Sequence, residues 1–378
     1  MLMLAFMVLP SASSSRQEVG ELRFLVAKSR VPAARSASAR VFDASMAARI
    51  LAALVALGSV RALVPPQRSS GAPARLRAQG AAQEWTKGCE TFEWGDCSIR
   101  YCREGSGRPV VMLHGFGSSL ETWRSNAPAL ADAGFECWRL DLLGLGLSEK
   151  AAGPYSIDRW ADQVEAFLDA KAIEAPVLVG NSIGSLVSLA VAARRGDVAG
   201  LLLNNCAGGM NSKFSGREPS FSPLAQAVAQ VAFAVIDVLL AQEALAKFLF
   251  DKVRSRENVA AVLGNVYVNA GRVDDVLLES TLVPAEDPAA LAVFVDILTG
   301  DPGPTPASLV PLTDAPIHCL WGDADLLTPL DGPTGLLFRR LSDEGRCSLT
   351  VIEAGHVPHD DAPAAANADS LAWLRTLA

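Results

Sequence analysis

The sequence predicts a doubly wound α/β fold, a mostly parallel sheet with helices on both faces, interrupted by an inserted helical lid. Three observations predict it. Short apolar or β-branched runs at 109–113, 135–141, 177–180, 198–205, 316–321 and 347–353 are separated by helix-length stretches, the alternation of a parallel sheet with crossover helices. That alternation stops between 212 and 310, where the chain reads as helices rich in Ala, Val and Leu. One run, Val177-Leu178-Val179, ends on Gly180-Asn181-Ser182-Ile183-Gly184 and is followed by a helix-permissive stretch at 185–193. That is a strand, a sharp turn with serine at its tip, and a helix.

Composition bounds the function. The chain has 378 residues, 50% of them hydrophobic and 20% charged, enough for a large buried core. A net charge of −8 argues against nucleic acid as the main partner, because phosphate binding needs clustered Lys and Arg. The seven cysteines form no Cys-x-x-Cys pair and there are only four histidines, so no metal site is expected. The cysteines read mostly as reduced thiols, although the spacing also permits a bridge from Cys89 to Cys97 or Cys102.

Residues 1–83 differ from the remainder. They are rich in Ala, Arg, Ser and Pro and hold no acidic residue between Asp43 and Glu84. Met46-Ala-Ala-Arg49 with the apolar run Ile50 to Gly58 forms a basic and then a hydrophobic region, followed by small residues at Val60-Arg61-Ala62. The arrangement is similar to the two-part signal-plus-transit presequences of algae with secondary plastids. It implies plastid import, with Met46 as an alternative start. The predicted organisation is therefore a presequence at 1–83, a first core part at 84–211, the lid at 212–310 and a second core part at 311–378.

Along the chain, 91–99 and 101–103 suggest an opening hairpin. The strand at 109–113 ends on His114-Gly115-Phe116-Gly117. Ligands gather at the carboxyl ends of parallel strands, so this loop can offer backbone N–H groups. Phe116 and Ile183 are the expected oxyanion donors, Gly115, Gly180 and Gly184 support the two turns, and His114 is expected to be structural. A helix is predicted over 119–133 and another over 157–172. The intervening Gly144-Leu145-Gly146 lacks the third glycine of a dinucleotide site and reads as a tight turn. In the lid, the run 224–240 carries no charge before Asp237; its length and its Gln226, Gln230 and Asp237 argue against a membrane span. An apolar lid over a serine implies a greasy substrate.

The strand at 316–321 ends on Gly322-Asp323-Ala324-Asp325, and the strand at 347–353 is followed by Gly355-His356-Val357-Pro358-His359. Asp325 is the expected acid, with Asp323 the alternative. His356 is the expected base, with His359 supporting its loop. A serine nucleophile, an acid and a histidine in the order Ser182, Asp325, His356 after three strand ends is the order of an α/β-hydrolase, whose chemistry is attack on an ester carbonyl through an acyl-enzyme. No cofactor is implied. Serine rather than aspartate at the turn argues against haloalkane dehalogenases and epoxide hydrolases of this fold.

From about residue 93 onward the chain resembles the plastid α/β-hydrolases of plants and algae, the pheophytinase-like serine hydrolases that include chlorophyll dephytylase. The matching pieces are Gly180-Asn-Ser-Ile-Gly184, Leu203-Asn-Asn-Cys-Ala-Gly-Gly-Met-Asn211, Thr299-Gly-Asp-Pro-Gly-Pro304, Trp321-Gly-Asp-Ala-Asp325, Thr328-Pro-Leu-Asp-Gly-Pro333 and Gly355-His-Val-Pro-His-Asp-Asp361. The resemblance implies a hydrophobic ester as substrate, the phytyl ester of chlorophyll, with peripheral contact at the thylakoid. Val357 and Leu326 depart from it, standing where those proteins carry cysteine and proline. A general plastid carboxylesterase or lipase, a pheophytin-specific hydrolase and a non-catalytic ligand receptor on the same scaffold are the competing readings.

Overall fold

The computed structural model describes residues 88–217 and 222–377; the presequence reading falls outside them. Eight strands form one sheet in the order β1-β2-β4-β3-β5-β6-β7-β8. β1 (Cys89–Trp94) and β2 (Cys97–Gly105) pair antiparallel, and β2 pairs antiparallel with β4 (Phe135–Leu140). β3 (Arg108–Leu113), β5 (Val177–Asn181), β6 (Gly200–Asn204), β7 (Ile317–Gly322) and β8 (Ser348–Ile352) continue in parallel from β4. The predicted opening strand at 91–99 runs through what is a turn: Trp94 pairs with Cys97, and Gly95 takes φ +60°, which a tight hairpin needs. The same register sets Cys89 opposite Cys102, and the two are joined as a disulfide. Cys97, Cys137, Cys206, Cys319 and Cys347 are free thiols.

The helix predicted over 119–133 is two pieces. Ser119 caps a short 3-10 turn at Leu120–Trp123, and α1 (Ala127–Asp132) starts afresh. Pro128 is the cause: it has no N–H to bond the carbonyl of Arg124, and its ring would collide there, so it sits in a first turn instead. α2 (Ile157–Ala170) is capped by the Ser156 hydroxyl, which accepts from the Arg159 amide at 3.0 Å. It buries Ile157, Trp160, Ala161, Val164, Phe167 and Leu168, the spacing of one helical face. α3 (Ile183–Arg194) is buried all round from Ile183 to Ala192. Its two serines are satisfied locally, Ser185 by the Asn204 carbonyl and Ser188 by that of Gly184.

Between β6 and β7 lies the helical insertion: α4 (Pro223–Leu240), α5 (Glu243–Val253), α6 (Arg256–Val266), α7 (Asp275–Leu282) and α8 (Ala290–Thr299). Ser222, Ser255 and Asp274 cap α4, α6 and α7. The insertion has a small core of its own at Phe250, Ala290 and Phe294. α9 (Pro333–Asp343), not anticipated from the sequence, and α10 (Pro363–Leu374) complete the second core part. One face of the sheet packs on α2 and α3 through Trp160, Phe167, Leu186 and Trp321. The other packs on α1 and α10 through Val110, Met112, Val179 and Leu374.

Candidate active site

β5 ends at Asn181, and Ser182 caps α3 with φ +55° and ψ −118°. A non-glycine residue there is strained, and the surroundings must hold it. They do so by close approach. A Cβ on Gly180 would lie 2.3 Å from the Ser185 nitrogen, and one on Gly184 would lie 2.2 Å from the Leu113 carbonyl oxygen. Alanine at 184 is favoured by helix propensity by about 1 kcal/mol. The obstructing atom is strand backbone that cannot move aside, and overpacking costs about 1–3 kcal/mol. Gly184→Ala is therefore expected to lower the urea unfolding midpoint and to cut turnover by displacing Ser182.

The loops after β7 and β8 bring Asp325 and His356 together. His356 Nδ1 lies 2.8 Å from Asp325 Oδ2, with Asp325 4% and His356 7% exposed. The same carboxylate accepts from the Leu327 amide at 2.7 Å, the Thr328 amide at 3.1 Å, the Thr328 hydroxyl at 2.6 Å and the Asn205 side-chain amide. Burial works to raise the Asp325 pKa. The His356 charge and the hydrogen bonds from His356, Thr328 and Asn205 outweigh it, holding the carboxyl well below the carboxylate range. Asp323, the alternative acid, is exposed and accepts instead from the Ala354 amide at 3.2 Å.

A depressed folded pKa means that the unfolded chain binds the extra proton first as the solution is acidified. The stabilisation from Asp325 is whole above about pH 4 and drains away as pH falls further. Urea midpoints of the wild type and Asp325→Asn should therefore converge below about pH 4 and differ at neutrality.

His359 is not part of that pair. It is 2% exposed, stacked on Trp123 with ring centroids 3.7 Å apart, and burial keeps its pKa well below the usual value. His114 is fully buried; its Nε2 accepts from the Leu142 amide at 3.1 Å, and its Nδ1 donates to the Gly115 carbonyl at 2.8 Å. Burial lowers its pKa, in keeping with a neutral ring that shapes the Gly115–Phe116 loop.

Four residues of the site had not been anticipated. Asn205 has φ +43°; besides bonding Asp325, its side-chain carbonyl accepts from the Gly322 amide at 3.0 Å, locking the ends of β6 and β7 together. Thr328 bonds the acid as described. Asn181 donates to the His356 carbonyl at 2.9 Å. Asp361 accepts from the Gly355 amide at 2.7 Å and from Val268 and Asn269 at 2.9 and 2.8 Å, so the histidine loop is tied to the lid. A positive-φ asparagine at a strand end was the one readable signal, since Asn tolerates that conformation better than most residues.

Ser182, His356, Phe116 and Ile183 all line one cavity of about 320 Å³. Its walls come from the strand ends and from the lid, with Phe214, Phe250, Val262, Leu263, Val293 and Phe294 among them. Lys150 and Arg254 are the charged residues on it, and no Asp or Glu lines it among the described residues. Nor, among the described residues, is any group of three or more His, Cys, Asp or Glu placed to hold a metal ion.

The profile of the alpha/beta hydrolase fold matches residues 108–361, and the chain belongs to that family. It is 37% identical over 117 residues to haloalkane dehalogenase 2 of Mycobacterium tuberculosis, covering 30% of this chain and 41% of that protein. It is 39% identical over 109 residues to 2-hydroxymuconate semialdehyde hydrolase of Pseudomonas sp. strain CF600, covering 28% of this chain and 38% of that protein. Each match spans less than half of the curated relative. Among solved structures, a thermophilic esterase from Thermogutta terrifontis superposes with TM-score 0.57 at 20% identity, over 76% of this chain and 98% of its own. A membrane phospholipase A superposes with TM-score 0.61 at 24% identity, over 87% and 99%. At these identities the two structures speak to the fold.

Proposed function

We propose that the chain is a serine hydrolase that cleaves a carboxylic ester through an acyl-enzyme, and that its substrate is the phytyl ester of chlorophyll, cleaved to chlorophyllide and phytol. The observation that carries the hydrolase reading is the buried Asp325–His356 pair, 2.8 Å apart, whose histidine lines the cavity that Ser182 enters from a strained turn. With Asp325 on Nδ1, the free Nε2 of His356 takes the Ser182 proton as Oγ bonds to the carbonyl carbon. The backbone N–H groups of Phe116 and Ile183 receive the resulting oxyanion, each worth about 3 kcal/mol of barrier. His356 returns the proton to the departing alcohol oxygen. It then takes one from water as the water oxygen bonds to the acyl carbon, and delivers it to Ser182 Oγ as the acyl–oxygen bond breaks and the acid departs.

Serine in place of aspartate argues against the dehalogenation that one relative's name prints. Greasy walls favour an apolar ester, and a rim without carboxylates disfavours a cationic one. The dephytylase reading rests further on the motifs shared with the plastid enzymes, and the composition of residues 1–83 supports action in a plastid. One observation favours a second reading. At about 320 Å³ the cavity is at the lower end of ligand sites, ~300–1,000 Å³. It suits one lipid chain rather than a chain and a tetrapyrrole together. On the dephytylase reading phytyl fills it and the ring stays at the mouth; a plastid lipase or carboxylesterase would use it for an acyl chain.

Full-length protein incubated with chlorophyll a, pheophytin a and p-nitrophenyl decanoate, beside its Ser182→Ala form, separates these. Serine-dependent release of phytol from chlorophyll is the expected result. Cleavage of the simple ester alone would leave the lipase reading, and preference for pheophytin would make the magnesium-free pigment the substrate.

A further inference from the structure

Helix α4 is built inside out for a helix bathed in water. Two of its polar side chains, though partly open to solvent, bond back to the protein: Gln230 donates to the Gly216 carbonyl at 2.8 Å, and Asp237 pairs with Lys213 at 2.7 Å. Phe233 and Leu240, on the same side, are buried. The outward side carries Leu224, Val228, Val231, Val235 and Val238, each between 41% and 71% exposed, at the spacing of one continuous helical stripe. A surface helix ordinarily shows the reverse pattern. The helix packs on the segment Ser212–Arg217 and on α5 and α8, and all three contribute walls to the cavity around Ser182.

We propose that this stripe is a membrane-docking surface, which lays α4 flat in the interface of an uncharged lipid layer and sets the roof of the cavity against it. The inference goes beyond the hydrolase reading and does not depend on which ester is cleaved. Three considerations select this occupant. The stripe holds no charge and the whole chain carries −8, so an acidic lipid surface or a basic partner has nothing on this face to recognise. A second copy of the chain is a poor fit: a stripe about 27 Å long and about 10 Å wide offers on the order of 270 Å². A stable dimer needs about 800 Å² from each partner. A spanning orientation fits poorly as well. Opening at Pro223, the helix is 18 residues long, so by length and composition it could cross a membrane, contrary to the expectation from the run at 224–240. Gln230, Phe233, Asp237 and Leu240, however, fasten it lengthwise to the lid.

The test is flotation of the full chain with phosphatidylcholine vesicles and with galactolipid vesicles, at low and at high salt. The wild type is expected to float with both, equally at either salt, because no charge takes part. Val231→Asp/Val238→Asp is expected to bind at least about tenfold more weakly, through loss of apolar burial. Leu224→Asp/Val228→Asp at the other end of the stripe should do the same. Both pairs are exposed and lie outside the cavity, so turnover of p-nitrophenyl acetate should remain within about twofold of wild type. Three results would overturn the proposal: wild type that stays with the bulk solution, variants that float as well as wild type, or sedimentation showing a dimer that the substitutions split.

Discussion

Ser182→Ala is expected to lower ester hydrolysis by about 10⁵-fold or more, because nucleophile and base act as a unit and removal of either forfeits nearly the whole of their contribution. The fold should not notice. The Ser182 side chain accepts no cap bond from the first amides of α3, and alanine meets the same backbone strain at φ +55° that serine does. Circular dichroism and the thermal midpoint should match wild type while acylation disappears. Single-turnover measurements with p-nitrophenyl decanoate would show no burst. Substrate binding should survive, since Ser182 is one small residue among many on the cavity and the apolar walls supplied by Phe214, Phe250, Val293 and Phe294 are unchanged. Undiminished turnover by this variant would remove Ser182 from the mechanism altogether.

Asp325→Asn is expected to cost about 10⁴-fold in kcat, with KM little changed. Asp325 does not line the cavity, so its loss acts through His356 rather than on bound substrate. An amide can turn its NH₂ toward Nδ1, which forces the ring proton to Nε2 and removes the acceptor that Ser182 needs. The remaining partners worsen the fit: the Leu327 and Thr328 amides, the Thr328 hydroxyl and the Asn205 amide all converge on this group as donors. Asn205→Ala provides the graded companion. It removes one of those donors and leaves the carboxylate, so a loss nearer ten- to a hundredfold is expected, with the acid limb of the pH–rate profile moved upward. A kcat loss without that movement would mean that Asn205 serves only to hold β6 against β7.

The parallel core was legible because buried strands write themselves as short apolar runs and their helices as stripes. Val110 to Leu113, Val177 to Gly180 and the stripe of Ile157, Trp160, Val164 and Phe167 were placed to within a residue or two. Less was legible where one residue overrules the pattern. Pro128 broke a helix that the surrounding apolar spacing favoured, and Gly95 turned a chain that alternation carried straight on. α9 was passed over, although Pro333 opens it and Phe338 and Leu341 recur at a helical interval. The candidate serine, acid and base could be picked out because each follows a strand end, and in a parallel sheet strand ends meet along one edge.

The sequence by itself determined the class of fold, the turn that raises Ser182 and the residue types brought to the sheet's carboxyl edge. These are local matters of periodicity, glycine clearance and chain order. Only the tertiary structure decided that Asp325 and not Asp323 meets His356, that Asn205 and Thr328 hold that carboxylate, and that His359 stacks on Trp123 instead. Only it showed which side of α4 faces outward. Each of those depends on contacts between segments far apart in the chain, and no local pattern records which of two nearby side chains a distant loop will reach.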